Sequence, residues 1–223
     1  MKHEPKKHID TYQHKGLRLQ LTNILKEKGI TDQRVLNAIN TVPRHFFLDS
    51  AFDKIAYEDK AFPIGEGQTI SQPYTVAFQT ELLQVKRNDK VLEIGTGSMY
   101  QSTILAEMGA KVYTIERQKN LYKQHENYLF KDVYLNMKFF YGDGFKGQPS
   151  FAPFDKILIT AAAPFIPPKL IEQLRPGGLM VLPLDDEETG FQRMLRITKK
   201  PDGTLAEESF HNFSFVPMLV GKS

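Results

Sequence analysis

The sequence predicts a single α/β domain: a mostly parallel central sheet with helices on both faces and a C-terminal antiparallel hairpin. Three observations carry that expectation. The first is Lys90-Val91-Leu92-Glu93-Ile94, an apolar run that ends in Gly95-Thr96-Gly97 and passes into Ser98–Met108, where Ile104, Leu105 and Met108 recur at helical spacing. The second is alternation: strand-like runs at Lys111–Glu116, Lys138–Tyr141, Phe154–Thr160 and Leu179–Leu184 are separated by helix-like segments, as parallel βαβ units require. The third is a change of pattern near the end, where Gln192–Thr198 and Glu208–Val216 flank the turn Pro201-Asp202-Gly203.

In chain order, residues 1–12 read as a flexible tail, locally basic through Lys2, Lys6 and Lys7, and residues 13–223 as the domain. A first helix is expected over Tyr12–Lys28, with Leu17, Leu21, Ile24 and Leu25 on one face and Gly29 closing it. Thr31-Asp32 opens a second helix, which carries Val35, Leu36 and Ile39 and ends before Pro43. Arg44–Leu48 is aromatic and is expected to pack these helices onto the sheet. His45 reads as a partly buried spacer, because no second histidine or acid stands at metal-ligand spacing, and no metal site is expected.

Ala56–Tyr74 reads as one long loop, and a loop of that length inside a compact domain is a functional candidate. Ser71 followed by Pro73 also looks like a helix start, with Val76, Ala77, Leu82 and Leu83 on the buried side. Spacing therefore leaves two readings of Ser71 open, a helix cap and an active-site hydroxyl. Lys119–Lys131 is expected to be a helix, and Ile166–Leu174 a short one. Thr160 and Ala161 are small residues at a strand end, which leaves room for a ligand outside the sheet.

The glycine turn carries the chemistry. Glu116 lies 21 positions past Gly95, the spacing of a ribose-binding carboxylate in a nucleotide-binding βαβ unit. A dinucleotide fits poorly, because the third glycine position is Tyr100 and Glu93 sets a negative charge beside the turn. Glu-x-Gly-x-Gly with an acid at that distance is the pattern of S-adenosylmethionine (SAM) sites in methyltransferases, whose ligand carries a sulfonium and an amino group. The domain is therefore expected to be Rossmann-like and SAM-dependent. Asp143, in Gly142-Asp143-Gly144 at a strand end, is either a turn former or an acceptor for an adenine amino group.

Gly65-Glu66-Gly67-Gln68-Thr69-Ile70-Ser71-Gln72-Pro73, together with the Val91–Tyr100 turn, resembles the protein-L-isoaspartate O-methyltransferases. The likeness extends through Val42-Pro43-Arg44, Tyr57-Glu58-Asp59, Gly142-Asp143-Gly144 and Thr160–Pro164 to Leu174–Gly178, most of the chain beyond the tail. It implies methyl transfer from SAM to the free carboxylate of L-isoaspartyl residues in damaged proteins and peptides, which starts repair through a succinimide. It also implies that Ser71 contacts that carboxylate, with Thr69, Ile70, Gln72, Val216 and Pro217 beside the acceptor. Cofactor contacts are implied for Glu93, Ile94, Gly95, Thr96, Gly97, Ser98, Glu116, Arg117, Asp143, Gly144, Thr160 and Ala161. One position departs: similar sequences carry glycine where this one has Met99, and the side chain is expected to point away from the turn because it opens the helix.

A methyltransferase of another acceptor, a small molecule or RNA, and a binding module without turnover are the competing readings. A net charge of +3 over 223 residues gives no reason to expect a nucleic-acid partner. The absence of cysteine excludes disulfides, a thiol nucleophile and thiolate metal sites, and no apolar run reaches membrane-spanning length. A cytoplasmic monomer is expected.

Overall fold

The structure, a computed structural model, describes residues 9–186 and 189–223. Residues 1–8 of the expected tail lie outside the described residues. The remainder of that segment is tied down: Asp10 accepts from both terminal nitrogens of Arg18 (2.7 and 2.8 Å), and Thr11 caps the first helix, α1 (Tyr12–Glu27). Gly29 donates back to Lys26 and Ile30 to Leu25, closing the helix with a left-handed turn. α2 (Gln33–Thr41) starts at Asp32, whose carboxylate accepts from the Arg34 amide, and a short 3-10 turn follows over Arg44–Phe47.

The stretch read as one loop is partly regular. Phe62–Gly65 (β1) and Gln68–Ile70 (β2) form a separate antiparallel hairpin, with Phe62 opposite Ile70 and both side chains buried. Strands of four and three residues, one holding a proline, are too short to show an alternating pattern. α3 (Pro73–Leu83) follows.

The main sheet has seven strands in the order β5-β4-β3-β6-β7-β8-β9. These are β3 (Lys90–Ile94), β4 (Lys111–Glu116), β5 (Met137–Tyr141), β6 (Phe154–Ile159), β7 (Leu174–Asp185), β8 (Gln192–Lys199) and β9 (Leu205–Phe213). The first five of that order are parallel and the last two antiparallel. The crossovers carry α4 (Tyr100–Glu107), α5 (Lys119–Gln124) and α6 (Pro168–Gln173). Strand alternation splits the core in two. Leu92, Ile94, Ile157, Ile159 and Met180 face Leu170 of α6, whereas Val91, Val112, Leu158 and Val181 face Leu83 of α3 and Leu105 of α4. Each such side chain, fully buried, contributes roughly 1.5–3 kcal/mol. α1 and α2 add a further apolar cluster with Val76, Ala77 and Ile104.

The helix expected through Lys131 stops at Gln124 and runs into a 3-10 turn, His125–Asn127. Beyond it Phe130 stacks on Phe46 and Phe47 (centroids 5.8 and 5.7 Å apart), and Tyr128 meets Thr103 at 2.7 Å. Packing against these aromatics outweighs the helical spacing read in the sequence. The last strand likewise ends at Phe213, so Val216 and Pro217 lie beyond the sheet.

Candidate active site

Strand order reverses at β3: the chain builds outward to β4 and β5, then returns to place β6 on the other side. A crevice opens outside the carboxyl ends of parallel strands at such a point. Here it is a solvent-open cleft of about 840 Å³. Its floor is the turn Ile94–Ser98 with Ile115, Glu116 and Arg117, and Gly144, Thr160 and Ala161 flank it. One lip is Gln68–Ser71 of the β1–β2 hairpin and the other is Val216–Leu219.

The turn is held closely. Gly95 has φ of 98°, and a Cβ built there would fall 2.4 Å from the Thr160 hydroxyl, which donates to the carbonyls of Ile94 and Gly95. Gly97 donates its amide to Glu116 Oε2 at 2.9 Å, and the Gln118 amide donates to Oε1 at 2.8 Å. The Glu116 carboxylate is thus fixed at the end of β4 on the cleft wall, with lone pairs left over for further donors.

Ser71 lies on the hairpin lip. The helix beside it begins at Pro73 with Gln72 at the cap and no side-chain cap bond, so the Ser71 hydroxyl does not cap it. That hydroxyl makes no hydrogen bond to any described residue, whereas the Ser71 carbonyl accepts from Arg44 Nη2 at 2.8 Å. Across the cleft, Ala162 donates to the Val216 carbonyl (2.8 Å) and accepts from Met218 (2.7 Å), which docks the second lip onto the end of β6.

Three expected site residues fall elsewhere. Glu93 is fully buried and does not line the cleft, because strand alternation turns it to the face covered by α4, where Ser102 donates to its Oε2. Its Oε1 has no hydrogen-bond partner, and burial pushes its carboxyl up to about 7. The expected charge beside the turn is therefore absent from the cleft. Asp143 is buried and accepts from the Phe145 amide at 3.0 Å, the turn-former geometry, and only its neighbour Gly144 reaches the cleft. Gln72 turns away to donate to Asp59. The other fifteen named positions line one space: Thr69, Ile70, Ser71, Ile94, Gly95, Thr96, Gly97, Ser98, Glu116, Arg117, Gly144, Thr160, Ala161, Val216 and Pro217.

Residues the sequence did not mark as site also line it, among them Val76, Tyr100 and Gln101. Met218, next to Pro217 and 7% exposed, belongs to the core and to the cleft wall at once. Met99 caps α4 with φ of 71° and lines a separate depression with Phe46, Phe47 and Tyr128, away from the cleft. His45 has more company than the sequence implies. His14 stacks on it at 3.8 Å, and its Nδ1 lies 2.6 Å from the Tyr57 hydroxyl. Asp10, His14 and His45 thus gather with one potential ligand atom each within 4.8 Å of the others, although both Asp10 oxygens are taken by Arg18.

Comparison with known proteins places the chain in a family. A family model described as protein-L-isoaspartate(D-aspartate) O-methyltransferase matches residues 17–223. Protein-L-isoaspartate O-methyltransferases of Flavobacterium johnsoniae and Cytophaga hutchinsonii are 53% and 54% identical, each over 96% of this chain and over 99% and 95% of their own lengths. Among solved structures, a protein-L-isoaspartate O-methyltransferase superposes with a TM-score of 0.82 at 27% identity, covering 92% of this chain and 67% of its own. A Plasmodium falciparum protein described as the same enzyme, solved with S-adenosyl-L-homocysteine, gives 0.78 at 25% identity over 91% of this chain and 98% of its own.

Proposed function

Because the chain belongs to the protein-L-isoaspartate(D-aspartate) O-methyltransferase family, and so is a SAM-dependent methyltransferase, we propose that Ser71 holds the acceptor carboxylate in this cleft. The observation that carries the reading is the Ser71 hydroxyl, unspent on any partner among the described residues, on the lip facing the turn Gly95–Ser98 and Glu116.

The residues present fit the cofactor. Glu116 has acceptor capacity for the ribose hydroxyls, and the close-packed turn at Gly95–Gly97 admits a ligand against backbone. SAM supplies a methyl group activated on sulfur. The acceptor carboxylate is already ionised at neutral pH, so no side chain need remove a proton. What the chain must do is orient. The Ser71 hydroxyl donates to one carboxylate oxygen and leaves the other free to face the methyl group, while Ile70, Val76 and Met218 keep water off the reacting atoms. Positioning of this kind lowers a barrier by about 7–11 kcal/mol at its limit. The cleft mouth lies between two extended lips, which suits a flexible peptide carrying a misplaced backbone carboxylate.

We further read the protein as a single-domain cytoplasmic monomer acting on isoaspartyl proteins and peptides, without a nucleic-acid partner. The modest net charge and the cysteine-free sequence support this. No helix among the described residues is long and apolar enough to cross a membrane.

The test pairs an isoaspartyl peptide with its normal aspartyl twin under labelled SAM. Labelling of the isoaspartyl peptide alone is expected, and equal labelling would favour another acceptor. Ser71→Ala is expected to lower kcat by about 10²-fold while leaving cofactor affinity intact. Near-normal turnover in that variant would remove Ser71 from the chemistry.

A further inference from the structure

Arg44 opens the 3-10 turn after Pro43 and has no solvent exposure. Among the described residues no carboxylate lies within ion-pairing distance. Instead Nε donates to the Ala56 carbonyl (3.1 Å), and Nη2 donates to Lys60 (3.2 Å) and Ser71 (2.8 Å). The guanidinium carbon sits 4.9 Å from the centroid of the Tyr100 ring, and neither Nη1 nor the Tyr100 hydroxyl has a well-formed hydrogen bond to a described residue. Burial pulls the group down to about 10, so it stays charged at neutral pH.

A charge taken out of water is costly, and an apolar side chain of similar volume is often the more stable filler of such a space. Stability of the core therefore gives no reason for an arginine here. Its contacts do. The three carbonyls come from either end of the segment that carries the β1–β2 hairpin, and one belongs to Ser71 itself. The same cation rests on Tyr100, a residue that lines the same cleft as Ser71.

We propose that Arg44 is a positioning residue for methyl transfer, gripping the Ser71 backbone from inside so that the hydroxyl is held at a fixed point above the cofactor turn. This rests on the role given to Ser71 above. A lysine cannot replace it, because three carbonyls in different directions need the planar fork of a guanidinium.

A double-mutant cycle tests this. Turnover of an isoaspartyl peptide is measured for wild type, Arg44→Lys, Ser71→Ala and the double variant, with S-adenosylhomocysteine affinity by calorimetry for each. Arg44→Lys is expected to lower kcat by up to about 10²-fold, with S-adenosylhomocysteine affinity little changed. In the Ser71→Ala background the same substitution should cost almost nothing more, because effects that pass through one group do not add. A full further loss in that background overturns the proposal, as does a loss of S-adenosylhomocysteine affinity matching the loss of turnover. Should Arg44→Lys fail to fold, Arg44→Gln enters the same cycle. If neither variant binds S-adenosylhomocysteine, Arg44 serves the fold as a whole and the proposal falls. Wild-type turnover by Ser71→Ala alone is a separate outcome, which removes the role of Ser71 and not merely that of Arg44.

Discussion

Met99 is the position where backbone and side chain disagree most plainly. Its φ of 71° is left-handed, which costs a residue with a Cβ roughly 1–2 kcal/mol relative to glycine. Its side chain is 8% exposed, and burying a methionine contributes about 1.5–3 kcal/mol. Met99→Gly relieves the first and forfeits the second, and the extra freedom of glycine in the unfolded chain costs about 0.5–1 kcal/mol more. The net expectation is destabilisation by about 1 kcal/mol, or a Tm lower by about 2–4 °C for a chain of this size. Met99→Ala loses nearly the same burial and keeps the strain. Glycine should therefore be the more stable of the two by about 0.5–1 kcal/mol, the reverse of their usual order in helices. Denaturant unfolding of the three proteins gives the order, and calorimetry with SAM gives the second readout. Because the side chain lies outside the cleft, affinity should change by less than about tenfold, or 1.4 kcal/mol. An alanine variant at least as stable as the glycine one refutes the strain argument. A larger gain in affinity on Met99→Gly refutes the placement of the side chain.

Two further outcomes follow from the site. Glu116→Ala removes the acceptor at the cleft wall and leaves the Gly97 amide without its partner; it should weaken S-adenosylhomocysteine binding by about 1.5–3 kcal/mol, read by calorimetry, and an unchanged affinity would detach Glu116 from the ligand. For Glu93, the folded value of about 7 lies above the ordinary 4.5, so between those values the native protein holds a proton that the unfolded chain has released. Stability is then lost as pH rises through that window, by on the order of 3 kcal/mol at most. Glu93→Gln should flatten this dependence and gain on wild type from pH 5 to pH 8 in parallel melts. Parallel curves for the two proteins would show that Glu93 does not titrate there.

The sheet was legible because its strands advertise themselves. Val91–Ile94 and Ile157–Ile159 are continuous apolar runs, and Gly95-Thr96-Gly97 marks the turn where the crevice forms. Spacing alone placed Glu116, since a βαβ unit of ordinary length puts the end of the second strand beside the first turn. What sequence could not convey was which way a side chain faces. Glu93 is adjacent to the turn in sequence, yet the pleat sends it under α4 while Ile94 meets the cleft. Asp143 and Gln72 find near partners of their own, in the Phe145 amide and in Asp59, and for Asp143 this is the turn-former reading of the two that the sequence left open. The company of His45 was invisible because His14, 31 positions away in the sequence, joins it only through the packing of α1. Whether Ser71 capped a helix was undecidable from spacing, and one residue of offset in the start of α3 decided it.

The two walls of the cleft differ in how they are anchored. The turn and Glu116 sit at the ends of adjacent parallel strands, clamped on both sides by neighbours. The Val216–Met218 lip hangs on two backbone hydrogen bonds to Ala162, and the opposite lip belongs to a small hairpin outside the main sheet. In the reading proposed above, the cofactor rests on the clamped wall and the acceptor polypeptide on the two lips, so the two ligands meet parts of the fold that are attached in different ways.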